Sequence, residues 1–327
     1  MIGRAVLLVA ALALPGVARA SAEPVVLRIQ HVAPLDHQIT LALHAFALDV
    51  AERTKGEVTV DIVTRPREVV TGSLAAAVRD GKIEAACMPT FVWARDIPEL
   101  DFTLIPYYFT GIDLMRRFPA SDAAGLIEQR LNGLGVRTLG WLHVTRLSLI
   151  TSNTKPIVMP GDFTGMRIRA MSEFGKVPFE AVGAIPLVLD AGSVAKAVRD
   201  GQLDAVLTDL SSAVGLALYD VQKFGTLAPY FSAYYHLFVG SAWLGSLVPT
   251  HRQAIEAAGA ALEKTAFTIT EARAAASVDI LRARGMTLHV QTDEERRAWV
   301  AAMQPAAFEA YTKAGPDRSR FLALLPR

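Results

Sequence analysis

The chain has 327 residues and a nearly balanced charge, with 33 lysines and arginines against 32 aspartates and glutamates. This balance gives no electrostatic reason to expect nucleic acid or an anionic membrane as a partner. The single cysteine, Cys87, excludes an intramolecular disulfide, so stability must come from a hydrophobic core. With 52% apolar residues, a chain of this length can bury a large core and is more typical of two lobes than of one.

The first twenty residues have the pattern of a secretory signal peptide. Arg4 provides a basic start, residues 5–14 form a short apolar stretch, and Ala-Arg-Ala at 18–20 fits the small-residue cleavage rule. A membrane anchor is the alternative, but it needs about 20 apolar residues, and the apolar stretch ends well before that. We therefore expect residues 1–20 to be removed on export to the periplasm.

The next segment predicts a β-α-β unit. Residues 25–31 are typical of a strand, Asp36 can cap a following helix, and Gly56 can end that helix. Residues 58–63 then alternate between apolar and polar side chains, as a second strand does. Units of this kind build parallel sheets, so the pattern indicates an α/β protein.

One helix-glycine-strand pattern occurs twice, at residues 74–86 and again at 194–206. Both copies contain the sequence Ala-Val-Arg-Asp-Gly, and Gly81 and Gly201 can adopt the positive φ that ends a helix. Each copy therefore predicts a helix followed by a short apolar strand, with one copy in each lobe. Such units are also common in unrelated proteins, so chance remains an alternative explanation of the repeat.

The ends of these two strands predict the position of a ligand. The first strand ends near Met88, and the second ends at Thr208 and Asp209. In open α/β sheets, ligands bind just beyond the carboxyl ends of the strands. Two lobes that face each other in this way would enclose a cleft.

A strand with two arginines is the strongest candidate for the binding site. In the sequence Met-Arg-Ile-Arg at 166–169, apolar and basic residues alternate, so Arg167 and Arg169 should leave the same face of the strand. A guanidinium group is planar and always charged, and it can hold a carboxylate or phosphate by two parallel hydrogen bonds. The strand therefore predicts half of an anion-binding cleft.

Arg146 lies where the chain is expected to pass from the first lobe to the second. A helix at 121–132 and strands at 136–141 and 146–152 surround this crossover. A buried arginine needs an anionic partner, because an unpaired buried charge costs several kcal/mol. The partner of Arg146 is either a ligand or a nearby aspartate or glutamate.

A very long helix is predicted near the end of the chain. Residues 234–243 read as a strand, and residues 249–284 then contain no internal proline and only Gly259 as an internal glycine. At 1.5 Å per residue the helix would be about 54 Å long, enough to cross both lobes of a hinged cleft. The alternative is two helices broken near Gly259 or Ser277. Thr292 then begins a capping box for a further helix.

The chain resembles the periplasmic solute-binding proteins of TRAP transporters, the tripartite ATP-independent type, also called the DctP family. The resemblance extends from about residue 25 to residue 250 and includes the long helix. It is strongest in the arginine strand and the segments that follow it. The matching segments are Leu-Arg-Ile-Gln-His at 27–31, Ala-Val-Arg-Asp-Gly-Lys-Ile-Glu at 77–84, Pro-Tyr-Tyr-Phe at 106–109, Thr-Ser-Asn at 151–153, Asp-Phe-Thr-Gly-Met-Arg-Ile-Arg at 162–169 and Gly-Ala-Ile-Pro at 183–186.

This resemblance implies a fold and a function. The expected fold is an α/β, two-lobed periplasmic solute-binding protein fold, with a ligand cleft between the lobes and a long helix spanning both. Residues 21–143 with about 233–270 would form one lobe, and residues 144–232 with about 271–327 the other. The expected function is an exported receptor that captures a small organic acid (carboxylate) and delivers it to a TRAP membrane permease. We also expect the protein to be a monomer and to bind no nucleic acid.

The resemblance also assigns roles to individual residues. Arg169 occupies the position that makes the two-pronged salt bridge to the substrate carboxylate, Arg146 matches a second arginine that reaches the ligand, and Arg167 is not expected to touch it. The chain departs from the family at Thr208, where the family commonly has asparagine, and at Asp209, which adds a carboxylate. A Leu-Gly turn expected before the first-lobe helix is replaced by Val-Val-Thr-Gly at 69–72. These departures leave the identity of the acid open.

Two other functions fit the sequence less well. An exported enzyme is disfavoured because the sequence has no nucleophile elbow, phosphate loop or zinc helix, and we expect no cofactor and no metal. A binding protein that feeds a signalling receptor remains an alternative, since the fold does not decide the partner. His31 at a strand end and His236 in the returning strand could donate to a ligand, or could be core or surface residues. Phe174 and the aromatic segment at 98–109 could contact a ligand or simply pack on a sheet.

Overall fold

Two β-sheets, of five and six strands, organise the part of the chain that the structure describes. The structure is a computed structural model, and it describes residues 25–64 and 73–326. The expected signal peptide at 1–20 and the segment at 69–72 lie outside the described residues. Each sheet, with the helices packed on it, is called a lobe below. The first lobe contains the five-stranded sheet, and the second lobe the six-stranded sheet.

Strands and helices alternate along most of the chain. The first group is β1 (Val25–His31), α1 (Gln38–Arg53), β2 (Val58–Thr64), α2 (Leu74–Arg79), β3 (Ala85–Pro89), α3 (Ile112–Arg117), α4 (Asp122–Gly133) and β4 (Val136–Thr145). The second group is β5 (Ser148–Ser152), β6 (Arg167–Ala170), α5 (Val177–Glu180), β7 (Ile185–Val188), α6 (Ala191–Arg199), β8 (Ala205–Asp209), α7 (Leu210–Gly215) and β9 (Phe224–Ala228). The last group is β10 (Ala233–Gly240), α8 (Ser241–Ser246), α9 (Pro249–Ala283), β11 (Thr287–Val290), α10 (Asp293–Lys313) and α11 (Pro316–Leu324). The 3-10 helices used below are Thr90–Arg95, Pro98–Leu104 and Phe174–Lys176.

The order of the strands shows how the chain crosses between the lobes. The first sheet has the order β2-β1-β3-β10-β4, and the second has the order β11-β9-β5-β8-β6-β7. β1 is parallel to both β2 and β3, which confirms the predicted β-α-β unit. The chain leaves the first sheet after β4 to begin β5, and it returns from β9 to β10. These two crossovers, together with α9, connect the lobes.

The repeated pattern forms the same local structure in each lobe. Gly81 and Gly201 have φ values of 69° and 67°, in the left-handed region that favours glycine. Each glycine follows a helix, α2 or α6, and precedes a strand, β3 or β8. The backbone hydrogen bonds around the two glycines are also equivalent, since Lys82 and Gln202 each donate to the carbonyl group five residues earlier. The prediction of one helix-glycine-strand unit in each lobe is therefore confirmed.

The long helix α9 is continuous and contacts both lobes. Its 35 residues extend from Pro249 to Ala283 without a break, so the two-helix alternative is wrong. On the first lobe α9 packs against β4 and α1, and on the second it packs against α7. Gly259 does not break the helix but allows it to approach β4 closely, because a Cβ atom there would lie 2.1 Å from the carbonyl oxygen of Leu139.

In the C-terminal third, one predicted strand is shorter than expected and one predicted helix cap is present. The returning strand β10 ends at Gly240, and the chain turns at once into the short helix α8, where the sequence had suggested strand to residue 243. The capping box is confirmed, since the Thr292 hydroxyl accepts from the Glu295 backbone N–H and the Glu295 carboxylate accepts from the Thr292 N–H. Helix α10 begins on the second lobe against α5, whereas α11 packs against α4 and the 3-10 helix Pro98–Leu104 of the first.

Candidate functional site

A cavity of about 580 Å³ lies between the two lobes. On the first lobe, its walls come from the segments that follow β1 and β3; on the second, they come from the segments that follow β6 and β7 and from α7. The parallel strands therefore place the cavity beyond their carboxyl ends, as predicted. The lining residues are Val32, Ala33, Pro34, Pro89, Phe91, Val92, Ala94, Arg95, Asp101, Arg169, Met171, Ser172, Glu173, Phe174, Leu189, Asp190, Ala191, Ser212, Leu216 and Tyr235.

Arg169 is the buried cation of this cavity. Arg169 is only 6% exposed, and two backbone carbonyl groups hold its side chain in place. Nε donates to the carbonyl oxygen of Leu189 at 3.0 Å, and Nη1 donates to that of Leu207 at 3.1 Å. Within the described part of the chain, Nη2 makes no hydrogen bond, and the guanidinium group forms no ion pair. The side chain is thus oriented by neutral groups and keeps donors for an anion.

The charge of Arg169 is incompletely balanced by the protein. Burial lowers the pKa of its guanidinium to about 10, and the attraction of Asp209, Tyr235 and Asp190 only partly offsets this effect. The group is therefore still cationic at neutral pH. A buried charge without a close counter-ion costs several kcal/mol, and an anion in the cavity would relieve that cost.

Arg167, the other arginine of β6, has a different environment. Its guanidinium forms a two-pronged pair with Asp204, with Nη2 and Nε at 2.7 and 3.0 Å from the two carboxylate oxygens. It lies outside the cavity lining, and the hydrogen bond from Arg167 also lowers the pKa of Asp204. One strand therefore carries one arginine that the protein neutralises and one that it does not.

Asp209 and Thr208 lie near Arg169 but do not line the cavity. Asp209 caps helix α7, where its Oδ1 accepts from the backbone N–H of Ser212 at 2.9 Å. The same oxygen lies 3.4 Å from Nε2 of His37. Burial would raise the pKa of Asp209, but His37 and Ser212 together hold it below its usual value. Thr208 is buried within β8.

Arg146 is not brought to the cavity. Its Nη2 lies 3.0 Å from a carboxylate oxygen of Glu271 on α9, and this pair lines a smaller depression of about 180 Å³ beside the crossover from β4 to β5. Nε2 of the buried His143 lies 3.4 Å from the other oxygen. Hydrogen bonds from His143 and Arg146 lower the pKa of Glu271 to about 2. Of the two partners that the sequence left open, the structure provides the nearby acid.

Three further candidates lie in the core of the first lobe. His236 is fully buried and stacks on Trp141 with ring centroids 4.5 Å apart, and its burial lowers the pKa of the imidazole to about 3. Met88 is also fully buried and is the cross-strand neighbour of His236. His31 is buried at the end of β1, with Nε2 3.0 Å from the hydroxyl of Thr64. None of the three lines the cavity, because their side chains face into the sheet's packing.

Phe174 does line the cavity, together with residues that the sequence did not single out. Its ring packs against that of Tyr311, with centroids 6.0 Å apart. The additional polar lining residues include Arg95, which is exposed, and Asp101, which is buried. Their segments follow the end of β3, so the rule that ligands collect beyond strand ends could have identified them. Tyr235, by contrast, reaches the cavity from the beginning of the antiparallel strand β10, and the rule about strand ends does not predict this.

The described residues include no group of three or more histidine, cysteine, aspartate or glutamate side chains suited to hold a metal ion. Among the helices described at 25–64 and 73–326, none combines the length and the apolar character that crossing a membrane requires.

Comparison with known proteins shows a consistent set of relatives. The family model DctP, described as bacterial extracellular solute-binding protein, family 7, matches residues 29–314. The chain is 24% identical over 302 residues to the C4-dicarboxylate-binding periplasmic protein DctP of Rhodobacter capsulatus, covering 91% of this chain and 90% of the relative. It is 22% identical over 282 residues to a solute-binding protein of Albidiferax ferrireducens, covering 85% and 83% of the two chains.

Solved structures share the fold at low sequence identity. A TRAP periplasmic solute binding protein from Sulfitobacter sp. NAS-14.1, with bound β-D-galacturonate, superimposes with a TM-score of 0.85 at 19% identity, covering 92% of this chain and 99% of the other. One from Pseudomonas aeruginosa PAO1, with bound L-malate, gives a TM-score of 0.82 at 21% identity, covering 88% and 100%. These similarities confirm the two-lobed α/β fold.

Proposed function

Because the chain belongs to the DctP family of bacterial extracellular solute-binding proteins, we propose that it captures a small organic acid by a salt bridge to Arg169 and delivers it to a TRAP membrane permease. The family consists of transport receptors and not of enzymes. The observation that carries the proposal is the buried Arg169 guanidinium, which lines the cavity between the lobes and has no carboxylate partner among the described residues.

The chemistry of the site favours a carboxylate ligand. The carbonyl groups of Leu189 and Leu207 fix the guanidinium plane, so little side-chain entropy would be lost when an anion binds. The donors that remain on Nη1 and Nη2 can hold the two oxygens of one carboxylate. Galacturonate and L-malate, the ligands of two structures with the same fold, both carry such a group.

The test compares two arginines on the same strand. A thermal-shift screen of carboxylates first identifies a ligand, because a tight ligand raises the melting temperature by mass action. In Arg169→Met, the loss of a charge-assisted pair of about 2–5 kcal/mol should weaken binding of that acid by about 30-fold or more in calorimetry. In the control, Arg167→Met, the same change of charge and shape should leave the affinity within about twofold, because Arg167 pairs with Asp204 outside the cavity.

A thermal melt of each variant separates binding from folding. An Arg169→Met protein that is folded and binds the acid as tightly as the wild type would refute the proposed salt bridge.

Delivery to a permease is tested by reconstitution. Proteoliposomes that contain the permease subunits should take up the radiolabelled acid only when the purified receptor is present outside. Equal uptake with and without the receptor would contradict delivery by this protein. No uptake when the receptor is present would favour the alternative of a signalling receptor. N-terminal sequencing of the exported protein should begin at Ser21 if residues 1–20 are the signal peptide.

A further inference from the structure

Asp101 is a buried carboxyl group in the wall of the same cavity. It belongs to the 3-10 helix Pro98–Leu104 of the first lobe, and 6% of the residue is exposed. Its Oδ1 atom is buried and has no hydrogen-bond partner among the described residues. The other oxygen, Oδ2, lies 3.7 Å from Nη1 of Arg318, too far for a hydrogen bond. A carboxylate can accept about four hydrogen bonds, so most of its capacity is unused.

The groups around Asp101 have partners of their own. The guanidinium of Arg318 lies over the ring of Tyr311 at 5.1 Å, and the Tyr311 hydroxyl donates to the backbone oxygen of Glu99 at 2.9 Å. One carboxylate oxygen of Glu99 lies 2.6 Å from Nη1 of Arg130. Burial raises the pKa of Asp101 to about 7, although Arg318 acts to lower it. Since buried polar atoms are almost always hydrogen-bonded, the orphan oxygen of Asp101 needs an explanation.

The cavity therefore presents two buried side chains that can carry charges of opposite sign. Arg169 comes from the second lobe and Asp101 from the first, so a ligand between the lobes can contact both. Much of the remaining wall is apolar and includes Phe91, Met171 and Phe174. In such surroundings a few polar contacts decide which ligand binds, because an unmatched polar group is costly.

We propose that Asp101 accepts a hydrogen bond from a hydroxyl group of the captured acid, so that the cavity selects hydroxy acids over unsubstituted acids and over dicarboxylates of the same length. This inference rests on the proposed function, since it requires that Arg169 holds the carboxylate. A hydroxyl group supplies a donor to this carboxylate, which can turn either oxygen toward the cavity because the terminal torsion of an aspartate side chain is soft. A second carboxylate would place two acidic groups together, which disfavours the charged form of both.

Calorimetry with five acids of equal chain length tests the inference. The probes are valerate, its 2-, 3- and 4-hydroxy derivatives, and glutarate. At least one hydroxyvalerate should bind the wild-type protein about 10-fold or more tightly than valerate. Asp101→Leu should abolish this advantage, measured as the ratio of the affinities for the hydroxyvalerate and for valerate. Asp101→Asn should strengthen glutarate binding by about fivefold, because it removes the like charge; a purely structural role would not predict a gain.

Controls separate recognition from folding. In the double variant Asp101→Leu/Arg318→Met, the charge of the nearby Arg318 is removed together with that of Asp101, and the same loss of hydroxyl preference is expected. Asp317→Asn changes an exposed acid beside the same cluster and should keep the wild-type preference.

Several outcomes would overturn the inference. These are a wild-type protein that binds the hydroxyvalerates no better than valerate, a preference that persists in Asp101→Leu, and an equal loss for all five acids. Failure of the proposed function looks different, because Arg169→Met would then bind these acids like the wild type. If none of the five acids binds the wild-type protein at about 1 mM, the preference for short hydroxy acids is refuted, and the carboxylate screen then decides the salt bridge separately.

Discussion

Replacing Gly259 by alanine should destabilise this protein strongly, although alanine is the better helix former. Gly259 lies where α9 crosses β4, and a Cβ atom there would lie 2.1 Å from the carbonyl oxygen and 2.9 Å from the carbonyl carbon of Leu139. Contacts below 3.0 Å are essentially never made by real Cβ atoms. Gly140 faces the same crossing, since a Cβ atom on it would lie 3.1 Å from the backbone oxygen of Gly259. Helix and strand backbones therefore touch directly.

The magnitude follows from two opposing terms. In an open helix position, glycine to alanine contributes about 1 kcal/mol of stability through helix propensity. At Gly259 the added methyl group meets backbone atoms of the strand, which cannot rotate away. The helix must therefore move away from β4 by about 1 Å to bring the contact from 2.1 Å to above 3.0 Å. Overpacking of this kind costs about 1–3 kcal/mol and occasionally more. Because the contacted atoms belong to the backbone, the upper end of this cost applies, and we expect Gly259→Ala to lower the free energy of unfolding by about 2 kcal/mol and the melting temperature by about 4–8 °C.

Urea denaturation of matched variants measures the effect. Gly125→Ala, at an exposed site in α4 with nothing within 4 Å of the new Cβ atom, should raise the free energy of unfolding by up to about 1 kcal/mol. The two variants carry the same chemical change and should shift stability in opposite directions. If Gly259→Ala were as stable as the wild type, the close crossing of α9 over β4 would not exist in solution.

Two further outcomes concern groups outside the cavity. Arg146→Met should leave ligand affinity within about twofold and cost no more than about 1 kcal/mol of stability, because its pair with Glu271 is partly exposed; a loss of affinity comparable to that of Arg169→Met in calorimetry would contradict this. For His236, the folded pKa of about 3 lies below the value of about 6.5 in the unfolded chain, so protonation favours unfolding as the pH falls between these values. As the pH falls, the free energy of unfolding should therefore decrease more steeply in the wild type than in His236→Phe, by up to about 1.4 kcal/mol per pH unit. His44→Gln, at an exposed site, is the control and should behave like the wild type. Denaturation curves from pH 7 to pH 5 measure this, and identical slopes for all three proteins would disprove it.

Local patterns identified the parts of the site that depend on neighbours in sequence. The alternation at 166–169 predicted a strand with two arginines, and the two helix-glycine-strand units predicted the strand ends that border the cavity. These features could be read from the chain because strand periodicity and the positive φ of Gly81 and Gly201 are local properties.

Position at a strand end did not predict which side chains reach the cavity. His31 is the last residue of its strand, and Met88 and Thr208 are the last but one of theirs, yet all three side chains are buried in the packing of the sheets. The sequence gives no means to decide this, because the last residues of a strand can face either side. Asp101 lies in a 3-10 helix, whose short length leaves no periodic signal.

The sequence by itself determined the α/β class, the long helix and the choice of a permanently charged group at 169, since these depend on residue type and spacing along the chain. Only the tertiary structure decided that Asp204 neutralises Arg167 and Glu271 pairs with Arg146, while Arg169 keeps an unpaired charge. The partner acids of Arg167 and Arg146 lie 37 and 125 residues away along the chain. Which charge is left for a ligand is a property of packing, because it depends on which distant acids the folded chain brings within reach.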